Sequence, residues 1–209
     1  VALVQRERRA LGALAIAMAG GVKLHAFFLL PFLLIYYVAR PAPGATRPRN
    51  VREVWGALFR PFLPASVFLV ATFAPFLLND FGAFYDDVVR YNAGGAAWSY
   101  PISGMGFSAL LLALGVIPDP QADFPFAAVE IAVATPIAVY FVRRLWRTPT
   151  LALMLTGYAL TLLAFLFFGR YFQGNYLGYI VAVASPVPFL RSLAGARAGR
   201  RRRAEVARP

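Results

Sequence analysis

Uninterrupted apolar runs of roughly 16 to 20 residues recur along most of this chain, and no other feature of the sequence excludes so many folds. In helical form about 20 such residues match the ~30 Å hydrocarbon layer of a bilayer. The runs do not alternate with period two, which removes the strands of a membrane barrel. Of the 209 residues, 60% are hydrophobic and only 14% are charged. The pattern predicts an all-α fold: a polytopic helical membrane protein. Cysteine is absent, so disulfides and thiolate metal sites are excluded. The net charge of +12 need not mean nucleic acid. Arginines beside membrane spans mark the cytoplasmic face, where they meet anionic lipid.

Eighteen of the twenty arginines fall into four clusters: Arg6, Arg8 and Arg9; Arg40, Arg47, Arg49, Arg52 and Arg60; Arg143, Arg144 and Arg147; and Arg191 through Arg208. If all four clusters are cytoplasmic, the chain crosses the membrane an even number of times between neighbours. The apolar stretch 10–39 divides at Gly20, Gly21 and Lys23. About twelve helical residues reach only ~18 Å, so a hairpin of two short helices is expected, with its tip at Lys23 to His25. Such a tip at membrane depth has to be buried in protein or line a wet cavity. Three runs follow, 62–79, 100–117 and 125–142. An odd number breaks the parity, so 100–117, with its Pro101, Gly104, Gly106 and Pro118, reads as re-entrant or interfacial. Residues 80–124 then form one extracytoplasmic region. Spans over 149–168 and 171–190 complete the set, with "FGRYFQGN" outside between them. The domain reading is a transmembrane domain over 1–190 and a basic, disordered cytoplasmic tail over 191–209. That tail lacks the aromatic interleaving of a nucleic-acid binder. The first residue is Val, and no signal-peptide pattern precedes the first run, so further membrane helices are expected upstream.

Three cations stand outside the four clusters: Lys23, the only lysine, and Arg90 and Arg170. On this topology all three face the extracytoplasmic side or a cavity open to it. Charges so placed are costly and mark functional sites by default. A phosphate is the partner predicted for them, met by Lys as a point charge and by Arg with a planar fork. His25, the only histidine, is expected to pack or hydrogen-bond beside Lys23 and is a substrate-binding candidate there. Glu130, five residues into its span, reads as reaching the outer interface. Asp86 and Asp87 stand at i,i+4 and i,i+3 from Arg90. Either the three form a salt-bridged interfacial helix, or Asp86 or Asp87 holds a sugar hydroxyl or divalent metal while Arg90 holds a phosphate. Two adjacent carboxylates do not make a metal site, and none is assigned. Gln173, Asn175 and Tyr176 either anchor a helix at headgroup level or bind substrate. No catalytic triad, phosphate-binding glycine loop or HExxH spacing is present.

"GGVKLHAFFLLPFLL", with Lys23 eight residues before Pro31, resembles the late transmembrane region of GT-C glycosyltransferases. "FYDDVVRYNAGG", "SYPISGMG" and "RYFQGNYLGYIVA" are similar to bacterial polyprenyl-phosphate-mannose-dependent mannosyltransferases, glycosyltransferase family 87 and its relatives. The resemblance implies a GT-C-like transmembrane bundle in the bacterial plasma membrane. Its reaction would move a sugar, mannose by similarity, from a polyprenyl-phosphate donor to a lipid-linked or glycan acceptor on the extracytoplasmic face. It also implies that Lys23, Arg90 and Arg170 lie near the donor phosphate and that "FFLLPFLL" lines the prenyl groove. The family's catalytic carboxylate sits in the first external loop, which would precede residue 1, leaving this chain as a C-terminal part that binds donor without the base. No cofactor is implied. A transporter or flippase for a lipid-linked glycan is the alternative, and a non-catalytic membrane scaffold is the third class.

Overall fold

The computed structural model describes residues 2–41, 44, 46–48, 50–96 and 98–192. The tail predicted over 191–209 therefore lies outside the described residues from position 193 on. The described residues are all-α apart from one two-residue strand pair. Helix α1 (Ala2–Gln5) precedes α2 (Arg9–Val22), and a 3-10 segment (Leu24–Leu29) leads into α3 (Leu30–Ala39). The long α4 (Val51–Asn79) is followed by α5 (Phe81–Tyr85), a π turn (Asp86–Arg90) and α6 (Tyr91–Ala93). Strand β1 (Ser103–Gly104), α7 (Phe107–Ala113), α8 (Phe126–Arg147), α9 (Leu151–Phe167), β2 (Tyr171–Phe172) and α10 (Gly174–Ala184) complete the order.

The hairpin anticipated in 10–39 is present, and it breaks where the sequence places its lysine. Lys23 is extended, with φ −143° and ψ 114°, while its N–H still bonds the Ala19 carbonyl at 2.8 Å and so closes α2. The two legs are joined at their far ends by a reciprocal pair. Arg9 Nη1 donates to the Tyr37 carbonyl at 3.1 Å, and the Tyr37 hydroxyl donates to the Arg9 carbonyl at 3.0 Å. Small residues Ala13 and Ala17 of α2 meet Ala65 of α4, so these two helix backbones approach closely.

Helix α3 packs against α8 and α9, and α10 packs on α9. The main core lies between them, around Phe32, Leu33, Tyr37, Leu145, Tyr158 and Leu162. Phe32 and Leu33 are fully buried there. Within the "FFLLPFLL" stretch Phe32 and Leu33 thus supply core, while residues 27–30 are half-buried and Pro31 is exposed. Pro186 has no N–H to give the Ala182 carbonyl, and the Ser185 hydroxyl takes that acceptor at 3.0 Å. The last helix turns at Ser185 for this reason before resuming over 186–192.

Between α4 and α8 the expected third run is not a long helix. Its helical part, α7, has seven residues and rises only ~10 Å, too short to cross a bilayer. The rest is irregular chain pinned by β1, which pairs in parallel with β2 through Ser103 with Tyr171 and Gly104 with Phe172. Ile102, Ile117 and Phe126 form a small separate core beneath this outer segment. Among the described residues two helices, α4 and α8, are long and apolar enough to cross a membrane, and only 11% of either apolar window is buried within the protein. Helix α4 starts eleven residues before the predicted span, at Val51, where the Asn50 side chain caps it by accepting from the Glu53 N–H at 2.9 Å.

Candidate functional site

Arg170 leaves α9 on the short link to α10, and it is one of the most deeply buried side chains, 2% exposed. Its guanidinium fork spreads over three carbonyls of the outer segment. Nε donates to Tyr100 at 2.6 Å, Nη1 to Ala122 at 3.1 Å and Nη2 to Pro120 at 3.3 Å. Burial lowers the Arg170 pKa from its ordinary value, and the charges of Asp123 and Asp119 oppose the shift. An arginine remains a cation under such a change. Gly94, at the end of α6, makes room for the fork. Its φ is +91°, and a Cβ there would stand 2.5 Å from Arg170 Nη1, so both the backbone and the space call for glycine.

Beside Arg170 opens a cavity of about 480 Å³, bounded by the hairpin tip, residues 88–93, the start of α8, the end of α9 and the link to α10. Its polar wall is made by His25, Asn92, Glu130, Arg170, Tyr171 and Tyr176, and Leu24, Phe28, Phe165 and Leu166 contribute apolar wall. The Tyr171 hydroxyl donates to Asn92 Oδ1, which joins the link to residues 88–93. Lys23 Nζ stands 5.4 Å from the centroid of the Tyr176 ring, a cation on the aromatic face at the border of the cavity. Lys23 is exposed. The His25 ring meets Tyr176 and Tyr179 edge-on, with centroids 5.2 and 5.9 Å apart, and its Nε2 is buried without a hydrogen-bond partner. The hairpin tip is held from below by Tyr158, whose hydroxyl donates to the His25 carbonyl at 3.1 Å and is 2.8 Å from the Tyr179 hydroxyl.

The three cations singled out in the sequence thus occupy three different settings. Lys23 borders the cavity, and Arg170 lines it with its fork already committed to carbonyls. Arg90 does not line it: its Nη1 pairs with Asp86 at 2.8 Å and its Nη2 donates to the Gly95 carbonyl at 2.8 Å. Of the two accounts of the Asp86, Asp87 and Arg90 segment, the i,i+4 ion pair is the one with a partner in place. Asp87 is exposed. Gln173 donates to the Tyr100 hydroxyl at 3.0 Å and so braces the outer segment, while Asn175 is exposed and Tyr176 lines the cavity.

Glu130, Asn92 and Tyr171 were not among the expected site residues. Glu130 was readable: an acidic residue inside an apolar span is a functional candidate on the same ground as Lys23. Asn92 and Tyr171 gave no comparable signal, because their meeting depends on the fold of residues far apart in sequence. Among the described residues no three His, Asp or Glu side chains converge as metal ligands would. No protein-family model, curated protein or solved structure matches the chain.

Proposed function

We propose that this chain belongs to a multi-pass bacterial plasma-membrane glycosyltransferase of GT-C type. It transfers a sugar, mannose by resemblance, from a polyprenyl-phosphate donor to a lipid-linked or glycan acceptor. In this reading α4, α8, α9, α10 and the 10–39 hairpin form the membrane bundle. The arginine-flanked ends and the basic tail are cytoplasmic, and residues 80–124 form the extracytoplasmic cap. The observation that carries the reading is the cavity of about 480 Å³ beneath that cap, which combines a polar wall with an apolar one. A lipid-linked sugar has the same two-sided chemistry, with hydroxyls and a phosphate at one end and hydrocarbon at the other.

In this reading the cations divide the labour. Lys23, its ammonium on the Tyr176 ring at the cavity border, meets the donor phosphate, whose charge grows as the glycosidic bond breaks. Arg170 contributes fixed positive charge and holds the cap in place. Arg90 holds the 86–95 segment. The test is transfer from polyprenyl-phosphate mannose by full-length protein in proteoliposomes. Lys23→Ala is expected to lower turnover by about 10²–10³-fold, in line with loss of one preorganised electrostatic group. Arg90→Ala is expected to retain most of it. The reading is refuted if the wild-type protein moves the intact lipid between leaflets without sugar transfer, or if Lys23→Ala turns over like wild type.

A further inference from the structure

A second groove, of about 850 Å³, runs between α8 and α9, with Phe172 and Leu177 completing its wall. It shares no residue with the polar cavity. The Tyr140 hydroxyl is the only polar side-chain group among its lining residues. Leu160, Phe167 and Leu177 are 42, 37 and 40% exposed, so the groove opens outward from the bundle. Such a site has nothing to offer a sugar or a phosphate along its length and suits a hydrocarbon chain.

One end of the groove is charged. The Tyr140 hydroxyl accepts from Arg144 Nη1 at 3.0 Å, which ties the groove to the last turn of α8, where Arg147 also stands. Arg47 joins them, stacked 4.3 Å from the centroid of the Trp146 ring and donating to the Trp146 carbonyl. None of the three ion pairs among the described residues involves Arg47, Arg144 or Arg147. Cations gathered without a carboxylate repel one another and favour an incoming anion.

Spacing decides which anion. From Arg144 back to Val133 is eleven residues of α8, ~17 Å, close to half of the ~30 Å hydrocarbon layer. That is the reach of an acyl chain within one leaflet. A polyprenyl donor does not fit the same charges: Glu130, on the polar cavity, stands fourteen residues before Arg144, so a phosphate held in that cavity is ~21 Å from this end of α8. We propose that the groove between α8 and α9 binds an anionic phospholipid of the cytoplasmic leaflet, with one acyl chain along the groove and the phosphate at Arg144. The inference rests on the membrane-bundle part of the reading above and does not depend on sugar transfer. The phosphate takes the guanidinium nitrogens of Arg144 that the Tyr140 bond leaves over, with Arg147 and Arg47 as neighbouring charge.

The experiment uses full-length protein in phosphatidylcholine nanodiscs doped with phosphatidylglycerol that carries a photoactivatable acyl chain. Cross-links should map to residues 133–141 and 160–168 and be competed by unlabelled phosphatidylglycerol but not by phosphatidylcholine. One arginine near the surface contributes about fivefold to the affinity for an anionic lipid. Arg144→Gln should therefore weaken the competition about fivefold, and the double variant Arg144→Gln, Arg147→Gln about 25-fold, while Arg144→Lys stays within about twofold of wild type. Leu160→Trp, at an exposed position, fills the groove and should suppress labelling there whatever the headgroup. Equal labelling by the matching phosphatidylcholine probe overturns the proposal, and so does wild-type competition in the double variant or undiminished labelling in Leu160→Trp. Displacement by polyprenyl phosphate in preference to phosphatidylglycerol would give the groove to the donor's chain, and cross-links between two protein copies at these residues would give it to a second copy; either result overturns the proposal. Release of the protein from native membranes by alkaline carbonate overturns the membrane reading instead, which tells the two failures apart.

Discussion

Replacing Arg170 by Met keeps a long side chain in the same space and removes all of its donors. Three carbonyls, those of Tyr100, Pro120 and Ala122, then lose their partner at once. Bonds to a charged donor contribute about 1.5–3 kcal/mol each, so three would sum to roughly 4–9 kcal/mol if independent. They share one side chain, and removing it also abolishes the cost of keeping a desolvated charge. The net loss should therefore be about 3–5 kcal/mol, the scale of breaking a buried charged network. It should fall on the outer segment, which has only the small Ile102, Ile117 and Phe126 cluster of its own. The chain contains no cysteine, so single reporters are clean. Ile102→Cys, at a position 4% exposed, reports on the outer segment, and Ala159→Cys, also 4% exposed, reports on the main core. In Arg170→Met the labelling of position 102 by a water-soluble maleimide should rise by about 10²–10⁴-fold, since each 1.4 kcal/mol is a factor of ten. Position 159 should stay protected. Unchanged labelling at 102 would refute the claim that this guanidinium holds the cap.

Gly94→Ala should produce a weaker form of the same release, about 1–2 kcal/mol, because it strains the left-handed backbone and crowds Arg170 Nη1; the position-102 reporter measures it. Tyr37→Phe removes the hydroxyl that donates to the Arg9 carbonyl and should cost about 1 kcal/mol in a denaturation assay of the reconstituted protein. Asn50→Ala removes the cap of α4, again about 1 kcal/mol, and should appear as faster hydrogen exchange confined to the first turn after Val51. Asp86→Asn breaks an exposed pair worth under about 1 kcal/mol, and if the proposed sugar transfer holds its turnover should be unaffected.

Local chemistry made part of this molecule readable in advance. Gly20, Gly21 and Lys23 interrupt an apolar run, and the structure breaks α2 at Lys23. The spacing of Asp86 and Arg90 gives the ion pair that forms. The proline- and glycine-framed run at 100–117 yields only a seven-residue helix. What escaped the sequence depends on contacts between distant residues. Arg170 had a charge that called for a partner, but nothing nearby showed that the partners are carbonyls 48 to 70 positions away. An apolar string such as residues 27–34 reads alike whether it faces lipid or fills a core. That Phe32 and Leu33 are its buried members follows from where α8 and α9 lie, and that is tertiary information.

The distance between Arg170 and its carbonyls also fixes an order of events during synthesis. The outer segment leaves the ribosome well before the residue that secures it, at chain separations of 70, 50 and 48 positions. Until α9 has been made and its end delivered to the same side, the earlier segment has no lasting anchor. Interruption of synthesis before residue 170 would therefore leave a nascent chain whose earlier segment is unsecured, a natural substrate for quality-control proteases.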